Sequence, residues 1–145
     1  MDANLCYEVY FNRELRTKEE VYSFISEMVC QDEDSQKDEI IKQLIEREQI
    51  GSTLIAEHVM LPHIESDQVK KSRILFIRLV KPISMWDYQT KDIQLLIVLL
   101  LKKNEINQIK KKISLFSKTL ADEDYLNRLL EIKEKKVFEK EMIKI

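Results

Sequence analysis

The two histidines of this chain, His58 and His63, are the side chains best suited to chemistry near neutral pH. Neutral imidazole is a nucleophile at that pH, and with a phosphoryl group it forms a phosphoramidate labile enough to be passed on. A lone histidine is more often a surface or hydrogen-bonded structural residue than a catalyst. The residues around the pair therefore decide between the two interpretations.

Two other chemistries can be written for the same segment. A metal cluster could be drawn from both histidines and the neighbouring carboxylates, Glu57 and Glu65. Its spacing matches no standard zinc pattern, and it gives no role to Pro62. A hydrolase triad is excluded because both histidines lie in one segment that has no nucleophile elbow. We therefore expect neither a metal nor another cofactor at this site.

The composition fits one compact domain that spans residues 1–145. The chain is 44% hydrophobic and 34% charged, and a chain of this length can bury about two thirds of its unfolded surface. With a formal net charge of -2, no overall field favours nucleic acid or an anionic membrane. The lysine run 110–112 is then interpreted as the solvated face of an amphipathic helix. We expect no direct contact with nucleic acid.

The cysteine content and the hydropathy of the chain indicate its cellular compartment. Cys6 and Cys30 fit neither a metal-ligand spacing nor a dense disulfide framework, which favours a reducing compartment. We therefore expect the cytoplasm. The most apolar run, 93–101, contains Gln94 and falls short of the ~20 residues that a membrane-spanning helix needs. This run predicts a buried strand, and no membrane insertion is expected.

Helix and strand patterns alternate along the chain, which favours the α/β class. β-branched and aromatic residues predict strands at 5–11, 73–79 and 93–101. Apolar residues at helical spacing predict helices at 17–30, 36–49 and 105–120. Thr17 and Glu20 form a capping box for the first helix, and Asp122 can cap a fourth.

The segments between these elements carry further expectations. A polar break covers 32–36, and the second helix is expected to end near Gly51, the single glycine of the chain. A connection that contains Pro82 should separate the two later strands, with Trp86 and Tyr88 covering the core. The charge-rich end from Lys133 onward is expected to fray. Its alternative is to dock as a short last element through four apolar residues, Val137, Phe138, Met142 and Ile143.

Residues 47–63 carry a pattern more specific than either histidine alone. It consists of Arg47-Glu48, then Gly51-Ser52-Thr53, then Leu61-Pro62-His63. The pattern resembles the phosphorylation signature of the fructose- and mannitol-type enzyme IIA domains of the bacterial sugar phosphotransferase system, and the two match without a gap. The likeness extends over essentially the whole chain, including the segment 121–130 near its end.

The resemblance implies a fold and a reaction. The fold is a single α/β domain with a mixed β-sheet, helices on both faces and the histidine at a strand edge. His63 would accept a phosphoryl group from the phosphorylated histidine-containing carrier protein and pass it to an enzyme IIB protein or domain. Arg47 would stabilise the charge of that group. The other interpretation of Arg47 is an ordinary surface ion pair with the neighbouring glutamate.

Four further residues are expected in the environment of the phosphate: Ser52, Thr53, Glu57 and Gln108. The two hydroxyls could donate hydrogen bonds to phosphate or close the turn after the second helix. The Glu57 carboxylate could orient an imidazole ring or remain solvated. Gln108 stands near the position where many relatives carry a second histidine. His58, placed in a strand at an odd spacing from His63, would face away from it.

This chain departs from the family pattern in ways that bear on its role. Relatives usually carry glycines where Leu54, Ala56 and His58 stand, so the approach to the phosphate is bulkier here. Two functions follow from the resemblance. One is a transport phosphocarrier, and the other is a regulatory receiver domain of a sugar-responsive transcriptional regulator or antiterminator, phosphorylated on His63. The missing second histidine and glycines favour the receiver, because a sensor need not turn over fast.

Overall fold

The computed structural model describes residues 5–30 and 36–143, which form a six-stranded sheet with helices on both faces. The strands are β1 (Cys6–Arg13), β2 (Leu54–Ala56), β3 (Val59–Met60), β4 (His63–Ser66), β5 (Arg73–Met85) and β6 (Lys91–Lys102). The helices are α1 (Lys18–Val29), α2 (Lys37–Ile50), α3 (Asn107–Thr119), α4 (Glu123–Glu131) and α5 (Lys135–Ile143). The polar break predicted at 32–36 lies outside the described residues except for Gln36.

The sheet contains both parallel and antiparallel strand pairs. Its order is β1-β5-β6-β3-β2, and β4 pairs with β6 beyond β3. β5 and β6 run antiparallel at the centre, β1 lies parallel to β5, and β3 and β4 lie parallel to β6. The predicted class, a single α/β domain with a mixed sheet between helices, is confirmed.

Two hydrophobic clusters, one on each face of the sheet, hold the helices. α1 and α2 pack on the first face through apolar side chains that include Ile25 and Leu44. α3, α4 and α5 pack on the second face through side chains that include Phe116 and Phe138. Successive residues of β5 and β6 contribute to the two clusters in turn, because neighbouring side chains of a strand point to opposite faces.

Two helices, α1 and α4, begin with the side-chain caps that the sequence predicts. Thr17 Oγ1 accepts a hydrogen bond from the Glu20 amide at 3.1 Å, and the Glu20 carboxylate accepts one from the Arg16 amide at 2.6 Å. Asp122 Oδ1 accepts from two amides of the first turn of α4, at 3.0 and 3.3 Å. Both caps satisfy amides that the first turn of a helix leaves without a partner.

The connection between the two central strands is shorter than predicted. Pro82 lies inside β5, which continues to Met85. The pairing of β1 with β5 ends at Leu79, so Pro82 stands on an edge where its missing N–H removes no ladder hydrogen bond. Trp86 is buried as expected, but Tyr88 is 95% exposed, and the expectation that it covers the core is wrong.

The end of the chain and its most apolar run both belong to the packed structure. α5 is a helix that docks through Phe138 and Met142 in the second cluster, which agrees with the docking alternative for these two residues, whereas Val137 is 42% exposed. The run 93–101 forms most of β6, in which residues 95–98 are fully buried. Among the described residues, no helix has the length and apolar character that crossing a membrane requires.

Candidate active site

His63 begins β4, which follows β3 along one edge of β6. Its residue partner in β6 is Leu99. Pro62 lies between β3 and β4 and lacks an N–H group. Its carbonyl accepts a hydrogen bond from the Leu99 amide at 3.0 Å. Of the described strands, β4 pairs with β6 alone, so His63 lies at a strand edge.

Hydrogen bonds at both ring nitrogens orient the His63 imidazole. Nδ1 lies 2.8 Å from the Leu61 carbonyl oxygen. Since a carbonyl can only accept, the bonding pattern assigns the proton to Nδ1. Nε2 then carries the lone pair, and it accepts a hydrogen bond from Arg47 Nε at 3.0 Å. The site therefore selects the neutral tautomer whose nucleophilic atom is Nε2.

Arg47 reaches the ring from the last turn of α2. Its Nη1 donates to the Gly51 carbonyl at 3.1 Å, while its Nε contacts His63. These two bonds hold the plane of a guanidinium whose other N–H groups can meet a bound anion. The neighbouring Glu48 carboxylate bonds to side chains of α1 and of the β5–β6 connection, and in the described part of the chain no ion pair joins it to Arg47.

An open cleft of about 330 Å³ lies beside the ring. Residues of α2 and β4 line it: Gln43, Glu46, Arg47, Ile50, His63, Ile64 and Glu65. Glu65 and His63 share a face of β4, because side chains two residues apart in a strand point the same way. Within this lining, Arg47 is accompanied by two carboxylates. An anion at Nε2 would be attracted by Arg47 and repelled by Glu46 and Glu65.

Ser52 and Thr53 lie in the short segment between α2 and β2. The Ser52 hydroxyl accepts a hydrogen bond from the Leu54 amide at 3.1 Å, which closes the turn after α2. Thr53 is buried, and its carbonyl accepts from the Leu61 amide at 2.8 Å. Its Oγ1 is buried without a hydrogen-bond partner among the described residues. Ser52 therefore has a local partner, whereas the Thr53 hydroxyl has none, and neither residue is among those that line the cleft beside His63.

Glu57 and His58 form the turn between β2 and β3. The strand position expected for His58 is therefore wrong. Its φ of 72° lies in the left-handed region that favours glycine, the residue that the family pattern has there. His58 Nδ1 lies 2.7 Å from the Asp92 carbonyl oxygen and ties the turn to β6. The Glu57 side chain is 88% exposed, and its Oε1 lies 3.6 Å from His58 Nε2, so this largely solvated carboxylate also faces the imidazole of His58.

Gln108 lies in the first turn of α3 and is exposed. α3 packs through Ile109 and Phe116 into the cluster on the face of the sheet opposite α2. Gln108 is not among the residues that line the cleft beside His63. The structure thus brings Arg47 to His63 and places Gln108 outside the cleft.

Both histidines use ring nitrogens in hydrogen bonds to protein groups rather than in a shared cluster. His58 bonds to the Asp92 carbonyl, and His63 bonds to the Leu61 carbonyl and Arg47. Residues 5–30 and 36–143 contain no group of three or more histidine, cysteine, aspartate or glutamate side chains placed to hold a metal ion. The metal-cluster alternative gains no support from this geometry.

Four polar groups at the site, among them Glu46, are missing from the sequence-based expectations for the phosphate environment. Gln43 stands one helical turn before Arg47, and Glu65 stands two residues after His63, so helical and strand periods could have indicated both. The Leu61 carbonyl, which holds Nδ1, has no such signal. Every residue carries a carbonyl, and its direction follows from the tertiary fold.

Residues 7–144 match the family model described as phosphoenolpyruvate-dependent sugar phosphotransferase system, EIIA 2. The chain belongs to this family. The resemblance inferred from the motif around His63 is confirmed, and the match covers nearly the whole of this enzyme IIA domain.

Solved structures of enzyme IIA proteins share the fold of this enzyme IIA domain. The nitrogen regulatory protein IIA-Ntr from Neisseria meningitidis gives a TM-score of 0.73 at 18% identity, over 92% of both chains. The mannitol enzyme IIA from Escherichia coli gives 0.65 at 20% identity, over 94% of both chains. The same enzyme IIA in complex with phosphorylated mannitol enzyme IIB gives 0.69 at 19% identity, over 95% of both chains. At these identities the likeness concerns the fold alone.

A regulator from Bacillus subtilis (strain 168) contains a segment similar to this enzyme IIA domain. It carries the name "Probable licABCH operon regulator" and is 30% identical over 124 residues. The match covers 84% of this chain and 18% of the regulator. This chain therefore spans less than a fifth of the length of that relative.

Proposed function

We propose that residues 1–145 act as a phosphocarrier domain that accepts a phosphoryl group on Nε2 of His63. The observation that carries the proposal is the pair of hydrogen bonds at the ring, from Nδ1 to the Leu61 carbonyl at 2.8 Å and from Arg47 Nε to Nε2 at 3.0 Å. They leave one nitrogen as the nucleophile and put a guanidinium beside it. Membership of the enzyme IIA family supports the same class of reaction.

The proposed transfer needs no proton movement at His63. The Nε2 lone pair attacks the phosphorus of the donor phosphohistidine and forms the Nε2–P bond. The P–N bond to the donor breaks, and its electron pair returns to the donor imidazole. His63 keeps its Nδ1 proton, whose bond to the Leu61 carbonyl stabilises the positive charge of the phosphorylated ring. The proposed step needs neither a metal nor a nucleotide cofactor.

Arg47 acts in two stages of this mechanism. Before transfer, its Nε donates to Nε2 and holds the ring in place. That bond must break, because the same lone pair attacks phosphorus. The guanidinium then turns to the phosphoryl oxygens, where the charge of a loose transition state resides. Its bond to the Gly51 carbonyl keeps it beside the ring during the change.

The other four residues of the phosphate environment have lesser roles in the proposal. Thr53 has a buried Oγ1 without a hydrogen-bond partner in the described ranges, but it is not among the residues that line the cleft. Ser52 closes a turn, Glu57 is solvated, and Gln108 lies outside the cleft. Because none of the four lines the cleft, a contact with the phosphate would require their segments to move when a partner docks.

The donor in the proposal is the phosphorylated histidine-containing carrier protein, and the acceptor is an enzyme IIB protein or domain. One of the similar structures is a complex of the Escherichia coli mannitol enzyme IIA with phosphorylated enzyme IIB, which supports this class of acceptor. The cysteine usage favours a reducing compartment, so we place the transfer in the cytoplasm.

Incubation of the domain with phosphoenolpyruvate, enzyme I and the histidine-containing carrier protein tests the proposal. We expect one phosphate per chain, lost in acid and stable in alkali, as a phosphoramidate requires. Omission of the carrier protein should leave the chain unlabelled. The proposal fails if the chain stays unlabelled in the complete mixture while a mannitol-type enzyme IIA, treated in parallel, is labelled.

A second candidate function is a regulatory receiver domain whose phosphorylation on His63 reports sugar status. The observation in its favour is the similar segment in the Bacillus subtilis regulator, a protein more than five times the length of that segment. The two functions differ in whether an enzyme IIB accepts the phosphoryl group from the domain. Loss of label from the phosphorylated domain on addition of an enzyme IIB of the source organism supports transport. Retention of the label with every such enzyme IIB supports the receiver.

Glu65 is expected to limit how far the domain becomes phosphorylated. Residues two apart in a strand are separated by about 6.6 Å, and Glu65 and His63 both line the cleft, so carboxylate and phosphoryl group repel each other. We expect Glu65→Gln to raise the equilibrium constant for phosphorylation by the carrier protein about two- to fivefold at low salt. Native gel electrophoresis after equilibration with limiting phosphoenolpyruvate measures this constant.

Glu131→Gln is the control for the charge change, because Glu131 is an exposed residue at the end of α4, outside the cleft. It should leave the constant unchanged. The effect of Glu65→Gln should also shrink as salt screens the repulsion. An equal constant for wild type and Glu65→Gln at low salt would rule out repulsion by this carboxylate.

A further inference from the structure

Glu48 follows Arg47 in α2, and its carboxylate joins three elements of the fold. Oε1 accepts a hydrogen bond from the Tyr22 hydroxyl at 2.7 Å and lies 3.1 Å from Lys18 Nζ, both on α1. Oε2 accepts from Trp86 Nε1 at 2.6 Å, directly after β5. The Glu48 side chain is 11% exposed, and a charge buried to this extent requires such partners.

The partners of Glu48 are themselves held in place. The pKa of Tyr22 is raised far above its ordinary value, mainly by burial and secondly by the hydrogen bond to Glu48. The hydroxyl therefore remains a donor. The rings of Tyr22 and Trp86 pack edge to face with centroids 5.7 Å apart. The two aromatic donors and the carboxylate therefore form one packed unit against the last turn of α2.

Side-chain hydrogen bonds help to fix the position of the last turn of α2. The helix ends at Ile50, and Gly51 is extended, with φ of 176°, rather than a left-handed cap. The Gly51 carbonyl accepts a hydrogen bond from Arg47 Nη1. Glu48 and Arg47 project about 100° apart around the helix axis, so their bonds hold the turn from two sides.

We propose that Glu48 is a positioning residue that sets the direction in which Arg47 points at Nε2 of His63. The inference rests on the proposed phosphoryl transfer. Rotation of the last turn by about 10° moves a side-chain end about 5–6 Å from the axis by about 1 Å. A misplacement of that size can slow a reaction about a hundredfold. The bonds of Glu48 to α1 and to Trp86 oppose this rotation.

The test replaces Glu48 with glutamine, which has the same shape but cannot accept hydrogen bonds with its amide nitrogen. That nitrogen would face one of the two donors that the carboxylate now satisfies. Glu8→Gln is the matched control. The Glu8 carboxylate also accepts from a tyrosine hydroxyl, Tyr10 at 2.8 Å, and from an arginine, Arg73 at 3.1 Å, but it lies in β1 and outside the cleft.

Two measurements are made on each protein, ¹⁵N NMR of the His63 ring and single-turnover transfer from the phosphorylated carrier protein. With Glu48→Gln we expect the Nε2 resonance to move as the hydrogen bond from Arg47 is lost. The rate at saturating donor should fall about tenfold or more, with the half-saturating donor concentration unchanged within about twofold. Glu8→Gln should change neither the resonance nor the rate, and thermal unfolding establishes that both variants are folded.

An unchanged Nε2 resonance in folded Glu48→Gln overturns the positioning role, as does a wild-type rate of transfer. If the resonance moves but the wild-type domain accepts no phosphate, the proposed function fails while the positioning role stands. Should Glu48→Gln not fold, Trp86→Phe removes a single donor to the carboxylate and is measured in the same way. A smaller shift of the same resonance supports the role, and an unchanged resonance overturns it.

Discussion

Replacement of His63 with alanine is expected to abolish phosphorylation of the domain, with a loss of more than about a thousandfold. A covalent relay has no second acceptor once its nucleophile is removed. The measurement is the acid-labile phosphate incorporated from phosphoenolpyruvate through enzyme I and the histidine-containing carrier protein. Circular dichroism and thermal unfolding establish that the variant is folded.

The control for this prediction is the other histidine. His58→Asn removes the imidazole that bonds to the Asp92 carbonyl, and asparagine tolerates the left-handed backbone at this position. We expect this variant to be labelled to the wild-type level. Label that persists in His63→Ala, or that disappears in a folded His58→Asn, would show that the acceptor has been wrongly assigned.

The second large effect is expected at Arg47. Arg47→Ala should slow single-turnover transfer from the phosphorylated carrier protein by about 10²–10³, the range for removal of one transition-state donor. Arg47→Lys should slow it by about tenfold or more. A lysine is a point charge, and it cannot reproduce a planar group that donates to Nε2 of His63 and to the Gly51 carbonyl together.

Arg128→Lys is the control for the exchange of arginine by lysine. Arg128 lies on α4, which packs on the face of the sheet opposite α2, and it faces Glu141 rather than the cleft. Its variant should transfer at the wild-type rate. Paired measurements of thermal unfolding separate a loss of charge stabilisation from a loss of fold. Wild-type transfer by Arg47→Lys would contradict the role proposed for the guanidinium.

The longer elements of the fold could be predicted because their signals are local. The Thr17 and Asp122 caps and the apolar periods of α1, α2 and α3 lie within single segments of sequence. β2 and β3 contain three and two residues, too few for a strand period to be visible. The position of Pro82 inside β5 depends on neighbours far away in sequence, so local patterns misplaced it, and they could not decide between fraying and docking of α5.

Some features of the site could likewise be predicted from the motif, whereas others depend on the tertiary structure. The motif resemblance predicts that Arg47 acts on His63, whereas their sequence separation of 16 does not by itself indicate a hydrogen bond. The tautomer of His63 could not be predicted, because it depends on the direction of the Leu61 carbonyl. The role of Glu48 was also hidden, since its partners lie 26 and 38 positions away in sequence.

The identity of the phosphorylated atom is the sharpest test of the proposed mechanism. ³¹P and ¹⁵N NMR of the domain phosphorylated by the carrier protein reports which ring nitrogen is bonded to phosphorus. Because the Leu61 carbonyl holds the Nδ1 proton and Arg47 lies at Nε2, we predict a single bond to phosphorus, at Nε2 of His63, with Nδ1 still protonated. Phosphate on Nδ1 of His63, or on any residue other than His63, would contradict the proposed mechanism.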